Sequence, residues 1–151
     1  MKSTAVRTLF LLAAFAAFAP CGSAAAAPSS LYDQLGAAAG VRAISNELID
    51  RVAADPRIGA SFQDVNLKRV KKLLATQLCE LSGGPCRYTG DSMREVHAGL
   101  GITEADFYGM VAILRDIMRR RGVPIGARNA LLGLLAPMKR DVVEVALPPP
   151  R

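Results

Sequence analysis

Apolar residues recur every three or four positions along much of the chain, which is the spacing of amphipathic helices. The first such stripe predicts a helix from about Ala38 to Ala53, and Asp55-Pro56 ends it because proline disfavours helical backbone in the residue before it. A short helical turn that carries Ile58 and Phe62 follows. The apolar positions of the first helix are Val41, Ile44, Leu48 and Val52.

A second stripe predicts a helix that begins after Asn66, a favourable N-cap residue, and stops at Ser82-Gly83-Gly84-Pro85. Its apolar positions are Leu67, Val70, Leu74, Leu78 and Leu81. Residues 86 to 92 show no periodicity, so we expect an extended loop there. The loop leads into a turn around His97, after which Gly99 and Gly101 permit a tight reversal of the chain.

Two further helices complete the pattern. Thr103-Glu104-Ala105-Asp106 has the character of a capping box, and the helix that it opens carries the third stripe. The final helix begins near Pro124, and Pro137 should kink it because proline removes a backbone hydrogen bond. The apolar positions are Phe107, Met110, Val111, Leu114, Ile117 and Met118, then Leu131, Leu135, Met138, Val142 and Val145. No segment alternates at a period of two, so the sequence predicts an all-α fold with four main helices.

The N-terminus has a different composition from the rest of the chain. Lys2 and Arg7 precede an uninterrupted apolar run over residues 9–19, and a stretch of small residues follows it. This order predicts a cleaved secretory signal peptide over residues 1–27, because the run is well short of the ~20 residues that span a membrane. An uncleaved anchor and a lipoprotein processed at Cys21 are the alternatives. We therefore expect an exported, periplasmic domain over residues 28–147 with a disordered tail at 148–151.

The remaining chain is modestly basic, with 17 Lys and Arg against 13 Asp and Glu once Lys2 and Arg7 are removed. The cluster Arg119-Arg120-Arg121 closes a predicted helix, where cations complement the helix dipole and Gly122 provides a stop. Aromatic residues do not interleave with the charge as they do in many nucleic-acid-binding surfaces. We expect no nucleic-acid partner, and no membrane partner after signal cleavage.

His97 is the only histidine in the chain, and it is either a metal ligand or a bystander. One imidazole cannot build an ordinary zinc site, which takes three or four protein ligands. Haem iron needs only one protein ligand, because the porphyrin supplies four equatorial nitrogens. Taken alone, however, a single histidine is more often a structural or exposed side chain than a ligand.

Four motifs follow one another in the chain. They are Leu31-Tyr32-Asp33-Gln34-Leu35-Gly36, Gly83-Gly84-Pro85 before Tyr88-Thr89-Gly90, Met93-x-x-x-His97-x-Gly99-x-Gly101-Ile102-Thr103, and Gly122-Val123-Pro124. From about Leu31 to Val145 the chain resembles the truncated haemoglobins of group I. The resemblance implies a two-over-two sandwich of antiparallel helix pairs that encloses haem b. Gly36-Ala37 departs from the family, which usually has a pair of glycines there.

By position, the resemblance makes His97 the proximal haem ligand. It places Arg69, Tyr88 and Arg94 near the haem edge, where guanidinium and phenol groups donate to carboxylate oxygens. It also places Phe62 flat against the porphyrin. Plain solvation at the surface is the alternative for the three polar side chains.

The gas-binding face of the pocket departs from the family, which often uses a tyrosine and a glutamine there as hydrogen-bond donors. The matching positions are Ile49, Val70 and Leu74, and Met110 completes the wall. Only Gln77 lies close enough along the helix to bring a donor inward. Because a hydrogen bond to a charged acceptor contributes ~1.5–3 kcal/mol, we expect fast oxygen release and relatively better retention of carbon monoxide and nitric oxide.

Cys79 and Cys86 remain after removal of the leader, and they bracket the Gly83-Gly84-Pro85 turn. An even count in an oxidising compartment predicts a disulfide, with a redox-sensing thiol pair or two free cysteines as alternatives. No Cys-x-x-Cys-His motif occurs, so we do not expect a c-type haem.

Reversible binding of oxygen, nitric oxide or carbon monoxide is the leading functional hypothesis. A nitric oxide dioxygenase or a peroxidase-like enzyme would need an electron-donor protein, because the chain has no flavin or nicotinamide motif. A haem- or thiol-based sensor is another class. The last hypothesis is a helical module that binds no haem and in which His97 has only a structural role.

Overall fold

The computed structural model describes residues 29–144 of the chain. The predicted signal peptide, the lipoprotein alternative at Cys21, the stripe residue Val145 and the tail at 148–151 lie outside these residues. The α-helices of the described part are α1 Leu31–Gln34, α2 Ala37–Ala54, α3 Leu67–Leu81, α4 Met93–His97, α5 Glu104–Arg120, α6 Ile125–Leu135 and α7 Lys139–Val142. Short 3₁₀ turns occur at Gly59–Phe62 and Ala136–Met138.

Two helix pairs form the body of the molecule. Helix α2 packs along α3, α5 packs on α6, and α2 also crosses α5. The described residues contain no strand. The arrangement confirms the expected all-α two-over-two sandwich. Between residues 29 and 144, no helix combines the length and the apolar character needed to cross a membrane.

The long helices begin where the sequence predicts. The Asn66 side chain accepts a hydrogen bond from the N–H of Arg69 at 3.1 Å, and Thr103 and Asp106 form a reciprocal capping box at the start of α5. Pro137 ends the regular part of the last helix, because α6 changes there into a 3₁₀ turn before α7 begins.

The structure corrects the expectation for the segment around His97. This segment is the helix α4, whereas the sequence pattern predicts only a turn. A five-residue helix is too short to show a hydrophobic period. Its signal was the capping box formed by Ser92 and Glu95, whose side chains bond each other's backbone N–H groups.

The core lies between the helix pairs and contains most of the predicted stripe positions. Ile113, which the predicted stripe of α5 left out, is also buried. Leu67, Val70 and Leu81 are only half-buried, although they share a face of α3 with the buried Leu78. The central buried residues are Val41, Ile44, Leu48, Leu78, Leu114, Ile117, Met118 and Leu131.

The α1–α2 corner shows how the chain accommodates the missing second glycine. Gly36 has a φ of 89° and Ala37 a φ of 50°, so an alanine occupies the left-handed region that favours glycine. Gly40 also has no room for a side chain, since a Cβ there would lie 2.0 Å from the carbonyl oxygen of Leu35.

The basic cluster at the end of α5 is engaged in ion pairs. Arg119 and Arg120 contact Asp116, and Arg120 and Arg121 contact Glu47 on α2. Gly122 follows with a φ of 71° and ends the helix, as predicted. The cluster therefore joins α5 to α2.

Candidate functional site

His97 is the last residue of α4, and its ring is half-buried. Its Nδ1 lies 2.7 Å from the carbonyl oxygen of Met93, one helical turn earlier. A carbonyl oxygen can only accept a hydrogen bond, so Nδ1 carries the proton and the lone pair of the neutral ring is on Nε2. Within the described residues Nε2 makes no hydrogen bond. This geometry fits a histidine that ligates iron through Nε2, because metal-bound histidines almost always donate their other N–H.

Glu144, beyond the last helix, fixes the loop that follows His97. Its two carboxylate oxygens accept hydrogen bonds from the N–H groups of Gly99 and Gly101, each at 2.6 Å. The hydrogen bond from Gly99 and then that from Gly101 hold the pKa of Glu144 below its usual value, and burial opposes them. Arg94 of α4 also pairs with Asp141 of α7 at 2.6 Å. Asp141 and Glu144 thus hold α4 and the loop that follows it at two points.

The side chains expected on the gas-binding face are apolar and largely enclosed. Ile49 is buried, and Val70, Leu74 and Met110 are half-buried. Leu74 and Met110 also pack against the main core. Together these four side chains present only hydrocarbon and thioether groups.

Gln77 is buried, and its amide contacts the sulfurs of two methionines. Its Nε2 lies 3.4 Å from the sulfur of Met93 and 3.8 Å from that of Met138. Sulfur is a weak acceptor, and Met93 is the first residue of the histidine helix. The amide therefore faces α4 and the Ala136–Met138 turn, which lie on the His97 side of the site.

Two of the three polar side chains expected at the haem edge, Tyr88 and Arg94, have local partners. The Tyr88 hydroxyl donates to the carbonyl of Asp91 at 2.9 Å, and burial, with the charge of Asp91 as a smaller cause, raises the pKa of Tyr88. Arg69 is exposed near the start of α3, and Arg94 is exposed while it pairs with Asp141. Phe62 is half-buried against the core. Contact of Arg69, Tyr88 and Arg94 with a propionate stays a prediction.

The Cys79–Cys86 disulfide is present, with an S–S distance of 2.02 Å. It ties the end of α3 to the loop that leads to α4. A Cβ on Gly84 would lie 2.7 Å from the sulfur of Cys79 and from the ring of Tyr32, so the glycine allows these groups to pack closely. The ring of Tyr32 therefore packs beside the disulfide.

Sequence reasoning missed Glu144, which lies near the end of the described chain and belongs to no motif. Its role depends on backbone N–H groups that only the folded chain brings near it. Among residues 29–144, no group of three His, Cys, Asp or Glu side chains could hold a metal ion by itself. A porphyrin-borne iron would not require such a group.

Comparison with known proteins agrees with this architecture. Residues 30–144 match the bacterial-like globin family. The group 1 truncated haemoglobin GlbN of Mycolicibacterium paratuberculosis is 32% identical over 117 residues, which are 78% of this chain and 86% of that protein. The corresponding protein of Nostoc commune is 29% identical over 76% of this chain and 98% of its own length.

Solved structures show the same fold. The truncated haemoglobin of Tetrahymena pyriformis in its Fe(III) form superposes with a TM-score of 0.72 at 23% identity, over 76% of this chain and 98% of that one. The 2/2 haemoglobin of Synechococcus sp. PCC 7002, in the cyanomet state and with covalently attached haem, gives 0.71 at 24% identity, over 78% and 100%. The chain therefore belongs to the bacterial-like globin family as a group 1 truncated haemoglobin, and this membership implies gas binding at a haem.

Proposed function

We propose that the chain holds haem b through Nε2 of His97 and reversibly binds oxygen, nitric oxide or carbon monoxide. The observation that carries the proposal is the contact of His97 Nδ1 with the Met93 carbonyl, which leaves Nε2 as the free ligand atom. When bound, the haem supplies the iron at which a gas binds. The residues of this chain orient the imidazole and exclude water from the apolar side.

A titration with haemin tests the axial role of His97. The wild-type protein is expected to bind one equivalent with a sharp Soret shift, whereas His97→Gly should bind more weakly and give a different spectrum. Free imidazole should restore the wild-type spectrum in His97→Gly, because it fills the space left by the side chain. An unchanged spectrum in His97→Gly, or a wild-type protein that stays colourless, would contradict the proposal.

The haem is proposed to be held without a covalent bond. The sequence has no Cys-x-x-Cys-His motif, and Cys79 and Cys86 are bonded to each other. The Synechococcus neighbour differs in carrying covalently attached haem. Extraction with acidified butanone should remove all pigment from this protein, and pigment left on the polypeptide would contradict the b-type assignment.

Catalysis is the second candidate function. A nitric oxide dioxygenase would need an electron-donor protein to restore ferrous iron. The apolar character of Ile49, Val70, Leu74 and Met110 offers no acid or base for peroxidase work. Nitric oxide consumption, measured with and without a reducing partner, separates a catalyst from a carrier.

We further propose that residues 1–27 are removed on export, which leaves a periplasmic domain over 28–147 and a tail at 148–151. The Cys79–Cys86 disulfide supports this proposal, because disulfides persist mainly in oxidising compartments. Intact mass of the periplasmic protein, before and after reduction and alkylation, gives both the first residue and the thiol state. Retention of Met1, or two thiols that react without reduction, would contradict it.

A further inference from the structure

A groove of about 450 Å³ lies between α2 and α3. Its floor is largely apolar and includes Tyr32, Val41, Ala75 and the Cys79–Cys86 disulfide. Its basic lining comes from Arg42 on α2 and from Lys68, Lys71 and Lys72 on α3. The volume is in the range of ordinary small-molecule sites, which is roughly 300–1,000 Å³.

The groove is separate from the proposed haem site. An α-helix turns by about 100° per residue, so Lys68 and Lys72 lie on the opposite side of α3 from Val70 and Leu74. None of the side chains assigned to the haem pocket lines the groove. A ligand in the groove would therefore not compete for the position of the haem.

The charge of the groove is largely uncompensated. Lys71 pairs with Asp50 at 2.5 Å. Over residues 29–144, Arg42, Lys68 and Lys72 have no carboxylate within ion-pair distance, and no acidic side chain lines the groove. Like charges held along one concave surface repel each other, and an anion placed among them relieves that repulsion.

Shape and charge together define the chemistry of a ligand. A small inorganic anion would leave the apolar floor unused, and a neutral lipid would leave the cations unused. A groove encloses a single chain, whereas a bilayer surface would need a convex or flat contact. We propose that this groove binds a free long-chain carboxylate, with its chain along Val41, Ala75 and the disulfide and its head among Arg42, Lys68 and Lys72.

Calorimetric titration of the full-length, haemin-loaded protein with laurate tests the proposal. Arg42→Gln/Lys72→Gln should weaken laurate binding roughly five- to tenfold, because two partly exposed ion pairs are lost. Arg115→Gln/Arg140→Gln removes the same charge from exposed arginines outside the groove and should leave the affinity within about twofold. Dodecyltrimethylammonium, which has the same chain and the opposite charge, should not bind.

A second variant tests the location independently of charge. Ala38 is exposed and lines the groove, so Ala38→Phe should block laurate binding without altering the core. His97→Gly should retain it, which distinguishes failure of this proposal from failure of the haem proposal. Equal binding of laurate and dodecyltrimethylammonium, equal losses in the two charge variants, or full binding by Ala38→Phe would overturn the proposal. So would preference for an acidic peptide or for anionic vesicles over monomeric laurate.

Discussion

The orientation of the His97 ring depends on one contact, that of its Nδ1 with the Met93 carbonyl. His97 is the candidate ligand because it is the only histidine in the chain. The glycines that follow it belong to the motif on which the resemblance rests. The sequence does not reveal which ring nitrogen is free, because the carbonyl of Met93 decides it only once α4 has formed. The resemblance thus supplies the role of His97, and local helix geometry supplies its orientation.

The proposed gas-binding wall can be tested at Leu74. Leu74→Gln places an amide donor on the apolar wall and should slow oxygen release roughly ten- to hundredfold, since a hydrogen bond to a charged acceptor contributes ~1.5–3 kcal/mol. Carbon monoxide release should change much less. Stopped-flow dissociation of both gases measures the difference.

Leu74→Met is the matched control, because it alters shape without adding a donor. An oxygen release rate in Leu74→Gln equal to that of Leu74→Met would show that residue 74 does not face the gas. Slow oxygen release by the wild-type protein itself would show that a donor already enters the pocket.

Gln77 marks the limit of sequence reasoning at this scale. Its position one turn beyond Leu74 predicts that it could reach the gas-binding wall, and the structure places its amide against the sulfurs of Met93 and Met138. Helical spacing gives the direction of a Cβ atom to within a fraction of a turn, but a long side chain then follows the space that its neighbours leave. That space depends on α4 and the Ala136–Met138 turn, which are distant in sequence.

Among the elements, the long helices were predictable because each has several turns of periodic apolar residues, and α3 and α5 also begin at a side-chain cap. Asn66, Thr103 and Pro137 set boundaries where side-chain chemistry requires them. The short helices α1 and α4 were missed because one turn contains no period. Their capping boxes at Ser30 and Ser92 were the available signal.

The α1–α2 corner offers a test at this scale. Ala37→Gly should stabilise the protein by up to ~1 kcal/mol, because a left-handed conformation costs an alanine roughly 1–2 kcal/mol and the freedom that glycine has when unfolded offsets part of the gain. Ala39→Gly, two residues on at an exposed position of α2, should instead cost about 1 kcal/mol. Urea unfolding gives both values, and a loss in both variants would contradict the backbone argument.

For the whole molecule, spacing alone was compatible with an ordinary four-helix bundle, and the resemblance selected the two-over-two sandwich. The contacts that join the helices explain why spacing was insufficient. Asp116 of α5 pairs with Arg51 of α2, and Glu47 of α2 pairs with Arg120 and Arg121. Such pairs connect residues far apart in the chain and leave no periodic trace in the sequence.

Asp116 makes the stability contributed by these ion pairs between α2 and α5 depend on pH. Its pKa is lowered to about 2, first by the hydrogen bond from Arg51 and then by that from Arg119. The unfolded value is 3.8, so ionised Asp116 stabilises the folded state above about pH 4, and this contribution is lost as pH falls through about 2. Acid titration of the wild type should show this loss.

Asp116→Asn should lack that component of the acid transition and should be less stable than the wild type near neutral pH. Asp91→Asn is the control, because the Asp91 side chain makes no ion pair within the described residues. Acid transitions of the same shape in the wild type and Asp116→Asn would mean that the ion pairs of Asp116 do not connect α5 to α2 in solution.

Glu144 acts on the site from the far end of the described chain. Glu144→Ala removes the acceptors for Gly99 and Gly101 and should speed haemin loss severalfold, because the loop after His97 is then held by fewer bonds. Transfer of haemin to an excess of a scavenger apoprotein measures the rate. Glu144→Gln keeps one carbonyl acceptor, so its rate of haemin loss should lie between those of the wild type and Glu144→Ala. Wild-type rates in both variants would exclude this role of Glu144.

The long separation between Gly99 and Glu144, 45 residues in the chain, has a consequence for biosynthesis. At ~5–20 residues per second, a ribosome needs several seconds after the synthesis of Gly99 and Gly101 to reach Glu144. During that interval the nascent polypeptide presents an imidazole whose following loop is untethered. Haem capture is therefore expected to be a late event, completed only after Glu144, beyond the last helix, has been synthesised.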